Sequence, residues 1–194
     1  MERDYSDDAR LIREYLAGSP DAFPKLYERH REDLMNFCTQ LTRDPAQAQD
    51  LFQDTWIRVL ESLGDLREPQ AFRKHLLQTA YHRAVDLWRK RGLRRFFSLD
   101  GSSEEESGLA DRLTSPEPGP DLLLEEKEVQ AGLYAALATL PGEQRAVVLL
   151  RLREELSFRE IAEVTGAPLG TVLARMSRAV ERLRRLLGKE AGRE

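Results

Sequence analysis

Thr171, Arg175, Arg178, Arg182 and Arg185 recur at helical spacing toward the end of a 194-residue chain, with Ala174 among them. Such a row aims guanidinium groups along one face, and their forked N–H donors suit guanine edges and phosphate oxygens. Val172, Met176, Ala179, Val180, Leu183 and Leu187 share the other face and are expected to meet a core. Just upstream, Ser157 and Glu160 are spaced as a capping box, followed by the short apolar stripe Ile161, Ala162 and Val164. Gly166 suits a left-handed helix end, and Pro168 cannot continue that helix. Ala162, Gly166 and Val172 are then spaced as in a helix-turn-helix: a small residue at the crossing, a glycine in the turn, an aliphatic anchor beyond it. A solvated basic face on an ordinary surface helix leaves that turn chemistry unexplained. The pattern predicts a DNA-reading helix.

A second constellation lies between residues 71 and 91. Tyr81, Val85 and Trp88 fall at helical spacing beside His82, Arg83, Arg89 and Lys90. Rings next to cations suit unpaired bases, which stack on the rings while the cations hold the backbone. The same aromatic residues could instead cover an interdomain contact, and the sequence leaves both readings open. A third face, Gln47, Asp50, Asp54, Arg58 and Glu61 with Gln53 at its margin, reads on its own as solvated. No catalytic constellation is found. His30, His75 and His82 lack metal-ligand spacing, no glycine loop is placed to cradle phosphate, and no metal or cofactor is expected. His30 and Cys38 lie on or near a core stripe and read as packed residues.

The elements that position these faces are helical throughout. Phe23, Leu26, Tyr27, Leu34, Phe37, Cys38 and Leu41 form one stripe after Ser19-Pro20-Asp21. Asp44-Pro45 supplies an N-cap and a proline at the first helical position, opening a second stripe. That stripe is Ala48, Leu51, Phe52, Thr55, Trp56, Val59, Leu60 and Leu63, closed by Gly64. A third helix follows Glu68-Pro69 through Phe72, Leu76, Ala80, Ala84 and Leu87 to the basic run 89–91. Beyond residue 122, one helix passes through Val129, Leu133, Leu137 and Leu140. After Pro141-Gly142 another passes through Val147, Val148, Leu149, Leu150 and Leu152. The expected fold is all-α, with two small helical domains: a bundle at 1–97 and a helix-turn-helix domain at 127–194. A flexible acidic linker at 98–126 joins them.

The net charge of −4 is unevenly spread. Residues 1–97 carry 17 basic and 16 acidic side chains, and residues 127–194 carry 12 and 9. The linker sets Arg112 against nine acids, so both flanks remain available to DNA. The single cysteine precludes an internal disulfide and suits a reducing compartment. With no apolar run near the roughly 20 residues that cross a bilayer, and a polar, acidic start, a cytoplasmic protein is expected without membrane insertion.

Four segments carry a family resemblance: DAFPKLYERHREDL at 21–34, DPAQAQDLFQDTWIRVLESL at 44–63, AFRKHLLQTAYHRAVDLWRKR at 71–91, and the stretch 140–184. In this order they resemble bacterial RNA polymerase sigma factors of the two-domain extracytoplasmic-function (ECF) class. The resemblance implies an alternative sigma factor that binds core RNA polymerase through its β′ and β subunits and recognises promoter DNA. Asp50, Leu51, Gln53 and Asp54 fall where the family meets a β′ coiled coil. Tyr81, His82, Val85, Asp86, Trp88, Arg89 and Lys90 fall where it captures non-template bases of the −10 element and melts the duplex. Thr171, Ala174, Arg175, Arg178 and Arg182 fall where it reads the −35 element. His82 replaces an Asn often found in the family motif, and Ala174 a common Lys or Arg. An anti-sigma factor is an expected partner. In the family the linker threads the polymerase channel that later carries RNA. About 24 extended residues span roughly 80 Å at about 3.3 Å each, more than two duplex turns of about 34 Å. A stand-alone helix-turn-helix regulator is the alternative. It leaves the faces at 44–63 and 71–91 without a task.

Overall fold

The computed structural model describes residues 7–66, 68–97, 132 and 135–190, and every regular element among them is helical. The helices are α1 (Asp8–Leu16), α2 (Ala22–Thr42), α3 (Pro45–Ser62), α4 (Phe72–Phe97), α5 (Gly142–Leu152), α6 (Phe158–Thr165) and α7 (Leu169–Glu190). Two short 3-10 turns, Leu63–Asp65 and Pro69–Ala71, link α3 to α4. The acidic linker at 98–126, with Val129 and Leu133, lies outside the described residues.

α2, α3 and α4 pack around Leu26, Leu34, Phe37, Leu41, Leu51, Val59, Phe72 and Ala80, all buried. Asp44 sets the start of α3: its carboxylate accepts from the amides of Ala46 and Gln47 at 2.9 and 3.2 Å, with Pro45 next. Caps of this type are worth about 1 kcal/mol, because they satisfy donors that have no intrahelical partner. Phe23, Tyr27, Phe52 and Trp56 form an aromatic group with centroid separations from 5.0 to 6.4 Å.

α1 is an element that the polar start of the chain did not suggest. Only Leu11 and Ile12 are its buried apolar residues, and a polar contact completes its seat. Asp8 is buried with its Oδ2 2.8 Å from Nε2 of the buried His30, while Arg29 Nε approaches Oδ1 at 3.5 Å. His30 is therefore a packed residue, edge-on to Phe72 at 5.2 Å.

Three local expectations need correction. Leu60 is exposed because Val59 already takes the inward position at that turn of α3. Leu152 is exposed because it ends α5 beyond the buried run 145–150. Gly64 lies within a 3-10 turn and makes no left-handed helix end, and α4 continues past the basic run to Phe97.

The second domain packs Leu137, Leu140, Ala146, Val147, Leu150, Ile161, Val164, Val172 and Ala179 into one core. Ser157 accepts from the Glu160 amide while Glu160 accepts from the Ser157 amide, so both halves of the capping box are present. Gly166 adopts φ 63°, a left-handed conformation that costs a glycine little. Side chains of this domain also rest on α2 and α4 of the first, giving a closed arrangement.

Candidate nucleic-acid interface

α7 carries the row of guanidinium groups. Its inward side is fixed by Val172 and Ala179, fully buried, with Met176 and Leu183 packed beside them. That anchoring turns Thr171, Arg178 and Arg182 outward, and all three are exposed. Ala174 is half-buried, and the side chain of Leu187 lies outside the described residues. Arg175 differs from its neighbours. Only 16 % of its side chain is exposed, and its Nη2 donates to Glu143 of α5 at 2.5 Å. Its Nη1 is buried without a hydrogen-bond partner.

α4 holds the aromatic constellation. Tyr81 is buried at 3 % exposure and packs edge-on to Trp88 at 6.3 Å. Burial pushes the Tyr81 hydroxyl above its ordinary pKa, partly opposed by Arg175. Trp88 lies flat against the backbone of Gly142: a Cβ there would sit 2.7 Å from two ring carbons. His82 is exposed, with Nε2 3.7 Å from where a Cβ on Gly166 would stand. Val85 and Asp86 are half-buried, whereas Arg89 and Lys90 are exposed. Tyr81 and Trp88 thus do cover an interdomain contact.

Polar clasps extend that contact at both ends. Arg73 Nη2 donates to the backbone carbonyl and Oε2 of the buried Glu154 at 3.0 and 2.6 Å. Lys74 reaches Glu163 at 2.7 Å, a pairing that raises the lysine pKa. Arg145, buried, donates to the carbonyl of Leu41 at 2.6 Å and to that of Leu140 at 3.1 Å. Burial, with Arg43 and Arg91 nearby, lowers its pKa to about 10, so it remains a cation at neutral pH. In return Arg43 donates across the domains to the carbonyl of Ala138.

The exposed face of α3 presents Asp50, Gln53 and Asp54. Leu51 does not belong with them: it is buried in the core, because consecutive helical residues diverge by about 100° and the next position points inward. Asp54 pairs with Arg83 at 2.6 Å, which ties this face to α4. Ile57 and Leu60, both exposed, extend the face with apolar surface. Among the described residues no group of His, Cys, Asp and Glu is arranged to hold a metal ion. No helix of the described part is long and apolar enough to cross a membrane.

Residues 26–94 match the family model for sigma-70 region 2, and residues 130–183 match sigma-70 region 4. The sigma factor CarQ of Myxococcus xanthus is 31% identical over 172 residues, covering 89% of this chain and 92% of CarQ. The ECF sigma factor SigE of Mycolicibacterium smegmatis is 31% identical over 170 residues, covering 88% of this chain. The match spans 63% of SigE, which is the longer protein. The fold is similar to that of the sigma factor RpoE in a co-crystal with the anti-sigma factor NepR from Bartonella quintana. There the TM-score is 0.66 at 24% identity, covering 86% of this chain and 96% of that one. The chain belongs to the ECF class of RNA polymerase sigma factors.

Proposed function

We propose that the chain is an alternative sigma factor that joins core RNA polymerase and directs initiation at promoters by reading −10 and −35 elements. The observation that carries this is the pairing of two dissimilar nucleic-acid faces on one chain whose halves match regions 2 and 4. In this reading the exposed Asp50, Gln53 and Asp54 meet the polymerase β′ subunit, with Ile57 and Leu60 adding apolar contact. Tyr81, His82, Val85, Asp86, Trp88, Arg89 and Lys90 take the melted −10 strand, the rings stacking bases and the cations holding phosphates. Thr171, Ala174, Arg175, Arg178 and Arg182 enter the major groove at −35.

The same reading divides the chain into a polymerase and −10 domain at 1–97, an acidic linker at 98–126 and a −35 domain at 127–194. It places the protein in the cytoplasm with the polymerase and gives it no catalytic step of its own. A stand-alone regulator would leave residues 26–94 without a role. Because the structurally similar RpoE is seen with an anti-sigma factor, this chain is expected to have one too. The deciding experiment is transcription by purified core enzyme over a promoter library. Addition of this chain is expected to produce discrete start sites sharing two motifs; an unchanged, start-site-blind core enzyme would overturn the proposal.

A further inference from the structure

Two exposed leucines stand together at the start of the helix assigned to the −35 element. Leu169 opens α7 and Leu173 follows one turn later on the same side, 40 % and 44 % exposed. Val172 and Ala179 hold the inward side of the helix. Consecutive helical residues diverge by about 100°, so Leu173 is carried away from the core that Val172 enters. Residues 169–175 carry no exposed cation: Arg175 is 16 % exposed and held by Glu143, and Arg178 is the first outward guanidinium. The leading turns of this helix are therefore apolar where they meet solvent.

A recognition helix enters the major groove with its N-terminal residues against the base edges. Thymine presents a C5 methyl group there, beside an acceptor oxygen, and apolar side chains discriminate it by contact with that methyl. α7 offers the matching mixture, with the leucines on one flank and the donors of Thr171, Ser177 and Arg178 beside them, all exposed. A helix that docks in an apolar protein groove continues its anchors to the next turn. Here the next turn brings a core-packed Met176 and an exposed Ser177, so the apolar stripe stops after two residues. We infer that Leu173, supported by Leu169, reads a thymine methyl, so that the −35 element of this chain contains a T·A pair selected by burial of a methyl group. This rests on the −35 role proposed for α7 and deepens it.

The test uses the full chain assembled with core polymerase, on the promoter that the library selects best. Each thymine of the −35 element, on either strand, is replaced in turn by deoxyuridine, which removes the methyl and leaves every hydrogen-bonding group in place. Affinity should fall by about fourfold at one or two positions, the worth of burying one methyl group. Leu173→Ala should bind the parental promoter more weakly, and deoxyuridine at those positions should then cost nothing further. The leucine is exposed and alanine is a strong helix former, so the variant keeps its fold, which circular dichroism checks. A −35 element without thymine, deoxyuridine tolerated at every position, or a methyl effect that persists unchanged in Leu173→Ala overturns the inference. Weaker binding of Leu173→Ala to core enzyme without DNA also overturns it, by assigning the leucine to the polymerase. Start-site selection by the parental chain separates the two claims. Its failure removes the sigma reading, whereas selection without methyl dependence removes only the role of Leu173.

Discussion

The capping box at the start of α6 offers a quantitative test, because its magnitude and its pH dependence both follow from the same three contacts. Ser157 Oγ accepts from the Glu160 amide at 3.3 Å and donates to Glu160 Oε2 at 2.6 Å, while the Ser157 amide donates to the same oxygen at 2.8 Å. Ser157→Ala deletes the first two and keeps the third. Loss of a serine N-cap costs about 1 kcal/mol, which corresponds to about a fivefold rise in local opening. The Glu160 pKa lies below its ordinary value, chiefly because of the Ser157 side chain and then the Ser157 amide. A carboxylate whose pKa is lowered by folding contributes stability above its unfolded pKa, ordinarily near 4.5, and loses it as pH falls through the folded value. The substitution removes the largest cause of that lowering. The gap between parent and variant should therefore be full at pH 7 and narrow as pH falls below about 4.5. Native-state hydrogen exchange of the peptide covering 157–166, corrected for intrinsic rates, reads this directly. A gap that stays constant with pH, or a variant indistinguishable at pH 7, would refute the energetic role given to the box.

Arg178 is exposed on α7, so Arg178→Ala should leave thermal stability within about 0.5 kcal/mol. It should cut −35-dependent transcription by the worth of a bidentate contact, about 1–3 kcal/mol or roughly 5- to 150-fold. Asp50→Ala with Asp54→Ala should weaken binding to core polymerase by at least about tenfold in a pull-down titration, with helix content unchanged; undiminished binding would vacate that face. His75, whose Nε2 lies 3.0 Å from Ser62 Oγ, has its pKa lowered by burial. Its neutral form is the folded form, so stability is full above about 6.5 and declines as pH falls below it, and His75→Gln should flatten that part of the pH–stability curve. The Cys38 thiol is pushed up to about 12 by burial, so Ellman's reagent should react at once in denaturant and negligibly in the native protein.

How legible these features were depends on the distance over which their causes act. Asp44-Pro45, Ser157 with Glu160, and Gly166 are determined within a turn of chain, and each takes the conformation that its neighbours dictate. The stripes of α2 and α3 were equally plain, since a row of large apolar residues has one way to face. α1 was hidden because two apolar residues and a buried Asp8–His30 contact, 22 positions apart, hold it. Arg145 gave no sign of burial: it precedes a run apolar on every side, and its acceptor at Leu41 lies 104 residues away. Leu152 was drawn inward by periodicity that took no account of where a helix ends, and Leu60 by placing two adjacent positions, 59 and 60, on one stripe. The aromatic face of α4 was legible as an unusual surface, but its cover, Gly142, carries no side chain that could announce the contact.

Arg43 ends α2 at φ 62°, a conformation that ordinarily favours glycine or asparagine. A residue with a Cβ at this position costs backbone energy of about 1 kcal/mol. Its side chain spans to Ala138, so the penalty falls on one module while the benefit goes to its union with the other. Arg43→Gly should make the first module sturdier by itself and the whole molecule looser. At this corner the backbone accepts a local cost and the two halves gain a tie.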